Sequence, residues 1–404
     1  MLRFLRHNLR WIAGGFLLTF FSSFGQTFFI SASIGEWRSA FALSHGEFGR
    51  LYMAATLASA LCLPFVGRLV DVLPEHRSVM LVIPVLAAAT VIAAYAPSVP
   101  LLLFGIFLLR LFGQGMMTHI ALTATGRWFS AQRGRAVSLV VLGHQGGEAT
   151  LPLAFAALSL AVGYRTGWLL GAVTLLLVAL PLIAWAYHRA PATVSSSGTA
   201  NAEGGLETRQ WTRAEVLRDP VFWVLLVGVL AAPFTGTTIF YHQDYLTDLK
   251  GWPPQLFALS LSLAAFTTVV CALIGGALVD RFRAITLLPG FLLPLGGACF
   301  VLAVDGPHAL LFLAMFLLGI AYGFSSTLFG ALWPEIYGIR HLGAIRSLTV
   351  SAMVLATAAG PGITSSLIDR GISVPVQMNW IGAYCLLAAA AMIIAAWLLR
   401  QRGP

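Results

Sequence analysis

Gly67-Arg68-Leu69-Val70-Asp71 returns 209 residues later as Gly276-Ala277-Leu278-Val279-Asp280, and this repetition decides how the chain is built. The same shift pairs Phe107-Leu108-Leu109 with Phe316-Leu317-Leu318, Gly134 with Gly343, Ser138 with Ser347 and Pro152 with Pro361. A repeat of half the chain in an apolar sequence predicts two similar helix bundles facing each other.

Composition names the solvent. Hydrophobic residues make up 58% of the chain and charged ones 10%, with a mean hydropathy of +0.86, whereas soluble domains carry about 25% charged residues. Apolar runs of the ~20 residues that cross a bilayer lie near 11–33, 49–70, 79–97, 100–124, 136–160 and 166–187 in the first half, and near 220–242, 256–279, 285–304, 308–331, 345–367 and 378–399 in the second. The expected fold class is an all-α membrane protein, with 12 transmembrane helices in two pseudo-twofold-related six-helix bundles. The first bundle is expected over 1–188, a cytoplasmic linker over 189–218 and the second bundle over 219–404. The first span is too long, and too closely followed by others, to be a cleaved signal peptide.

A net charge of +9 raises nucleic acid as a partner, but the placement of the cations answers it. On these spans eighteen Lys/Arg, from Arg3 and Arg6 through Arg127, Arg133 and Arg135 to Arg400 and Arg402, fall on the side shared by both termini. Five (Arg38, Arg50, Arg165, Lys250, Arg370) fall on the other, and Arg110 lies within a span. The positive-inside bias puts both ends in the cytoplasm, which requires an even number of crossings. No nucleic acid is needed to explain the charge. Cys62, Cys271, Cys299 and Cys385 sit singly in apolar spans, so they read as packing residues rather than a disulfide frame or metal site.

Between the halves, Thr193–Gly205 is rich in Ser, Gly, Ala and Thr and reads as a flexible linker. After it, Thr212 and Glu215 have capping-box spacing, which predicts a short surface helix leading into the seventh span.

Twelve spans split six and six by a polar linker, with a parallel repeat, resemble the major facilitator superfamily, and the resemblance covers essentially the whole chain. Its gating loop follows the second span, with a Gly, an Asp four residues on and then basic residues. Here Gly67, Asp71 and Arg77 match it, and Gly276, Asp280 and Arg281 repeat it after the eighth span. Pro74, Glu75 and His76 depart from the pattern in the first copy. Glycine suits close helix approach, Asp a helix N-terminus and Arg a cross-interface pair. A second marker, an Arg in the fourth span followed by spaced glycines, matches Arg110-Leu111-Phe112-Gly113-Gln114-Gly115. Gly126–Ala136 is similar to the monocarboxylate and oxalate/formate branches. The runs Gly25–Ser31, Thr56–Ala60 and Phe240–Gln243 look like a bacterial branch of CcoA-like copper importers and riboflavin transporters. The resemblance implies a secondary transporter of the bacterial cytoplasmic (inner) membrane, monomeric, cofactor-free, with a small solute and the lipid bilayer as partners and protons as candidate coupling ions.

Polar side chains at membrane depth are costly and mark candidate sites. Arg110 and Glu148 both fall near the midplane. Gln114 sits one turn from Arg110, and His144 and Gln145 about one turn before Glu148, so each helix offers a polar stripe. Arg110 would neutralise Glu148 or an anionic solute, with Glu148 and His144 as proton-coupling candidates. The alternative is a static Arg110–Glu148 pair that only fixes packing. Gly25-Gln26-Thr27-Phe28-Phe29 repeats at a shift of 211 as Gly236-Thr237-Thr238-Ile239-Phe240, which nominates Gln26, Thr237, Tyr241 and His242 as lining residues. For His242 a place at the outer water boundary is the other reading. Tyr322, Ser325 and Ser326 read either as lining or as polar glue between helices.

Copper import needs soft ligands one turn apart, yet no methionine lies between Met117 and Met315. The cluster Met116, Met117 and His119 reads as core packing. A riboflavin-like vitamin or an organic anion fits better, with a copper importer or a non-transporting receptor as alternatives. No Walker loop, dinucleotide turn, HExxH or GxSxG occurs, so an enzyme is not expected.

Overall fold

A computed structural model describes residues 2–67, 69–129, 133–189, 210–282, 284–338 and 342–401, and every regular element in them is helical. The first span, α1, is a pair of helices, Asn8–Gly25 and Thr27–Phe41, bent by 49°. It is followed by α2 (His45–Val66), α3 (Glu75–Tyr95), α4 (Val99–Trp128), α5 (Arg133–Val162) and α6 (Tyr164–Tyr187). The second half holds α7 (Pro220–Tyr241), α8 (Pro254–Val279), α9 (Ala284–Ala303), α10 (Ala309–Tyr337), α11 (Leu348–Asp369) and α12 (Val374–Leu399). Ten of these are long and apolar enough to cross a bilayer, and α1 makes eleven. The 30-residue α5 has the length of a span, but His144, Gln145 and Glu148 dilute its hydropathy. With α5 included, twelve expected crossings meet twelve helices.

Helix ends follow local chemistry. Gly163, with φ +83°, ends α5 in a conformation that an L side chain resists. Pro220 opens α7 and Asp219 caps it, accepting the Val221 N–H at 3.1 Å. The expected capping box is present, with Thr212 and Glu215 exchanging bonds at the head of a linker helix, Arg213–Arg218. The other Asp219 oxygen accepts from the Tyr337 hydroxyl at 3.1 Å, and the Trp211 N–H donates to the Tyr337 carbonyl at 3.1 Å. Both bonds tie the linker helix to the end of α10. The linker expected over 189–218 falls mostly on residues 190–209, outside the described residues.

The chain divides into two compact units, Met1–Ser44 with Leu51–Ala200, and His45–Arg50 with Asn201–Pro404. The first turn of α2 therefore groups with the second unit, where the Gly46 N–H donates to Asp369 at 2.9 Å. In the first unit α1 packs along α5 and α3 along α6. In the second α7 packs along α11 and α9 along α12, the same pairings after the half-chain shift.

One equivalent pairing breaks this symmetry. α8 and α10 lie in extended backbone contact, whereas α2 and α4 meet sparsely, through side chains. The cause is readable in the residues. On α10, a Cβ at Gly319 would stand 2.6 Å from the Ala264 carbonyl, and one at Gly323 would stand 2.6 Å from the Thr268 carbonyl. Only glycine permits that approach. At the 209 shift, Gly319 corresponds to Arg110 and Gly323 to Gln114. The first unit carries its polar stripe where the second carries its glycine seam.

Candidate functional site

Arg110 is the largest charge buried in the first unit, at 2% exposure. Two backbone irregularities place it. α4 widens into a π-helical stretch over Leu109–Met117, a distortion that recurs at functional sites. α1 breaks at Gln26, whose backbone is extended (ψ 151°), and this frees the Gly25 carbonyl from helical bonding. Arg110 Nη1 donates to that carbonyl at 3.2 Å and to the Thr27 hydroxyl at 3.1 Å. The Tyr52 hydroxyl donates to the same Thr27 oxygen at 3.1 Å, with the guanidinium 5.8 Å from the Tyr52 ring centre. Arg110 Nε has no hydrogen-bond partner, and no carboxylate lies within ion-pair distance among the described residues. The expected Arg110–Glu148 pair is absent. Depth fixes position along the membrane normal but not the direction in which a side chain leaves its helix.

The crossing that holds this arrangement is glycine on glycine. A Cβ on Gly25 would run into the Leu109 carbonyl and the Gln114 amide and stand 2.8 Å from the Gly113 Cα. Gln26 and Gln114 flank it, both half-buried. A second glycine seam joins α5 to α1, where a Cβ on Gly143 would strike the Phe16 carbonyl, and one on Gly147 would stand 2.6 Å from the Phe20 carbonyl. His144 and Glu148 each follow one of these glycines. The His144 ring sits edge-on to Phe28 at 5.9 Å, the Gln145 Oε1 is buried without a partner, and Glu148 is 6% exposed with no hydrogen bond or ion pair among the described residues.

In the second unit the nominated residues engage neighbouring helices or their own backbone. Tyr322 occupies the room a side chain on Gly236 would need and donates to the Ala232 carbonyl at 3.3 Å. Gly236 answers to Gly25, and Tyr322 to Gly113, so here a phenol fills what is a bare crossing in the first unit. Ser325 and Ser326 bond back to their own helix. The Thr237 hydroxyl donates to the Pro233 carbonyl at 2.6 Å. Tyr241 is buried against the His242 ring at 4.8 Å. His242 is 2% exposed, which corrects the reading of a residue at the water boundary. Its Nδ1 lies 2.8 Å from the Thr238 carbonyl, which can only accept, and its Nε2 lies 2.9 Å from the Ser365 hydroxyl.

The gating loops are unequal. A Cβ built on Gly67 would stand 3.4 Å from the His119 ring, while one built on Gly276 would meet nothing within 4 Å among the described residues. Arg77 and Arg281 are exposed, the latter 5.7 Å from the Phe282 ring centre. The side chains of Asp71 and Asp280 lie outside what is described. Sequence reasoning missed Arg127, which donates to the Val70 carbonyl at 3.0 Å, and Glu335, which accepts the Ala284 N–H at 2.7 Å at the head of α9. Met116 and Met117 are fully buried, as packing residues are.

The sequence pattern of the Major Facilitator Superfamily matches residues 15–361 and 234–404. The chain belongs to the Major Facilitator Superfamily. It is similar to a chloramphenicol resistance protein of Streptomyces lividans, at 24% identity over 370 residues and 91% of each chain. Its fold is that of a bacterial homolog of the human lysosomal transporter Spinster in an inward-facing, unoccupied conformation (TM-score 0.74, 18% identity, 97% of each chain). The nucleoside transporter NupG shares it too (TM-score 0.71, 12% identity, 98% of this chain and 100% of that one). As a superfamily member the protein is a membrane transporter rather than an enzyme.

Proposed function

We propose that this chain is a secondary active transporter of a small organic anion, working by alternating access in the bacterial cytoplasmic membrane with both termini in the cytoplasm. The observation that carries the substrate class is Arg110. A fully buried guanidinium held by a carbonyl and a hydroxyl, with Nε unpartnered and no carboxylate opposite among the described residues, carries a positive charge that these residues leave uncompensated. Burying an unpaired charge costs several kcal/mol, and an anionic group on the solute would relieve that cost. Gln26 and Gln114 flank the site and supply neutral amides for the rest of the molecule. The excess of cations on the side of the termini supports the orientation.

Solute counterflow in proteoliposomes tests this reading. Preloaded mono- or dicarboxylates should accelerate exchange, whereas uncharged solutes, with chloramphenicol and riboflavin included, should not. Exchange driven only by an uncharged compound would overturn it.

Glu148 supplies a candidate proton site, because among the described residues no cation or donor engages its buried carboxyl. Glu148→Gln keeps the shape and removes the exchangeable proton, so uptake should lose its dependence on external pH while inserted protein stays at wild-type levels. An unaltered pH profile of uptake in that variant would end proton coupling through Glu148.

A further inference from the structure

A groove on the outside of the second unit runs between α7 and α12. Ala391, Ile394 and Leu398 recur at intervals of three and four, so they share one face of α12, and Pro220, Val221 and Val224 form the facing turns of α7. The cavity between them measures about 250 Å³, and every residue lining it is apolar. Ile394 and Leu398 on its rim are 60% and 41% exposed.

The groove begins at a charged end. Pro220 is the first residue of α7, and Arg213 and Arg218 stand just before it on the linker helix. Both arginines are exposed and engage no acid among the described residues. The neighbouring acids are spoken for: Asp219 turns inward to Tyr337 and Val221, and Glu215 is held by Thr212. Trp223, 49% exposed, donates its indole N–H to the Leu217 carbonyl at 3.0 Å, the posture of an aromatic at a membrane interface. An apolar slot whose α7 wall starts two residues after Arg218, on a linker helix whose two exposed arginines engage no acid among the described residues, matches one kind of molecule, with a hydrocarbon tail and a negatively charged head.

We propose that this groove is a binding site for an anionic phospholipid, with one acyl chain between α7 and α12 and the phosphate on Arg213 and Arg218. Charge selects this occupant over a zwitterionic lipid, and the apolar lining selects it over a free phosphate.

Native mass spectrometry and thermal unfolding of the purified full chain, delipidated in detergent, provide the test. The probes are phosphatidylglycerol and phosphatidylcholine with identical chains. Phosphatidylglycerol should stay bound and raise the unfolding midpoint by several degrees, and phosphatidylcholine should do neither. The double variant Arg213→Ala/Arg218→Ala should weaken phosphatidylglycerol binding about tenfold or more. Ala391→Phe, which fills the groove from its half-exposed wall, should weaken it with both arginines intact. Each variant is first melted without lipid, and Ile394→Phe on the exposed rim replaces Ala391→Phe if that protein is not folded. Equal retention of the two lipids, undiminished phosphatidylglycerol binding in both variants, or a dimer that forms through this face and excludes lipid would overturn the proposal.

Discussion

Gly25→Leu yields no folded transporter. The Gly25 Cα faces the backbone of α4, where the Leu109 carbonyl, the Gln114 amide and the Gly113 Cα occupy the space a side chain would need. Backbone atoms cannot swing aside as a flexible side chain can. Overpacking a core typically costs about 1–3 kcal/mol and occasionally more. Here the two helices must also separate, which takes the Gly25 carbonyl out of reach of Arg110. A buried guanidinium stripped of a partner adds about 1.5–3 kcal/mol. The two costs together, about 2.5–6 kcal/mol, match the lower end of a net stability of about 5–15 kcal/mol, and a clash against backbone on both sides pushes the overpacking cost above its typical range. Fluorescence-detected size exclusion should show loss of the monodisperse peak, and even Gly25→Ala should diminish it. A normal peak for Gly25→Leu would mean that α1 and α4 do not cross here.

Arg110→Leu gives the opposite pattern, a protein that folds and does not transport. Leucine removes a buried charge that has no counter-ion, which offsets part of the loss of its bonds to Gly25 and Thr27. The melting midpoint should therefore stay within a few degrees of wild type. Anion uptake should fall by at least about tenfold, because a hydrogen bond to a charged group is worth about 1.5–3 kcal/mol. Arg110→Lys keeps the charge but not the planar fork, so it should restore little uptake. If Arg110→Leu moves anions at the wild-type rate, the guanidinium is structural and the proposed substrate class falls.

The bilayer made the fold legible. Lipid permits only internally satisfied backbone, so long apolar runs had to be helices, and the 209-residue echo had to be two like units. The break in α1 was not legible, because no proline marks it. It is visible only in the tertiary structure, where the freed Gly25 carbonyl meets Arg110. The π-helical stretch on α4 left no trace in apolar spacing either. Thr27 and Ser365, the hydroxyl partners of Arg110 and His242, were missed for a related reason. A lone hydroxyl in a span usually bonds back to its own helix, as Ser325 and Thr237 do. One signal was present and unread: aligning the halves sets Arg110 and Gln114 against Gly319 and Gly323.

That last substitution has a wider meaning. A duplicated chain inherits two equally good frameworks and needs only one of them to stay stiff. In the later copy a zipper of bare positions clamps α8 to α10, and in the earlier copy a cation and an amide occupy the same places. A protein assembled from two later copies would lack both the buried cation and the amide, and with them the charge on which the proposed anion binding rests.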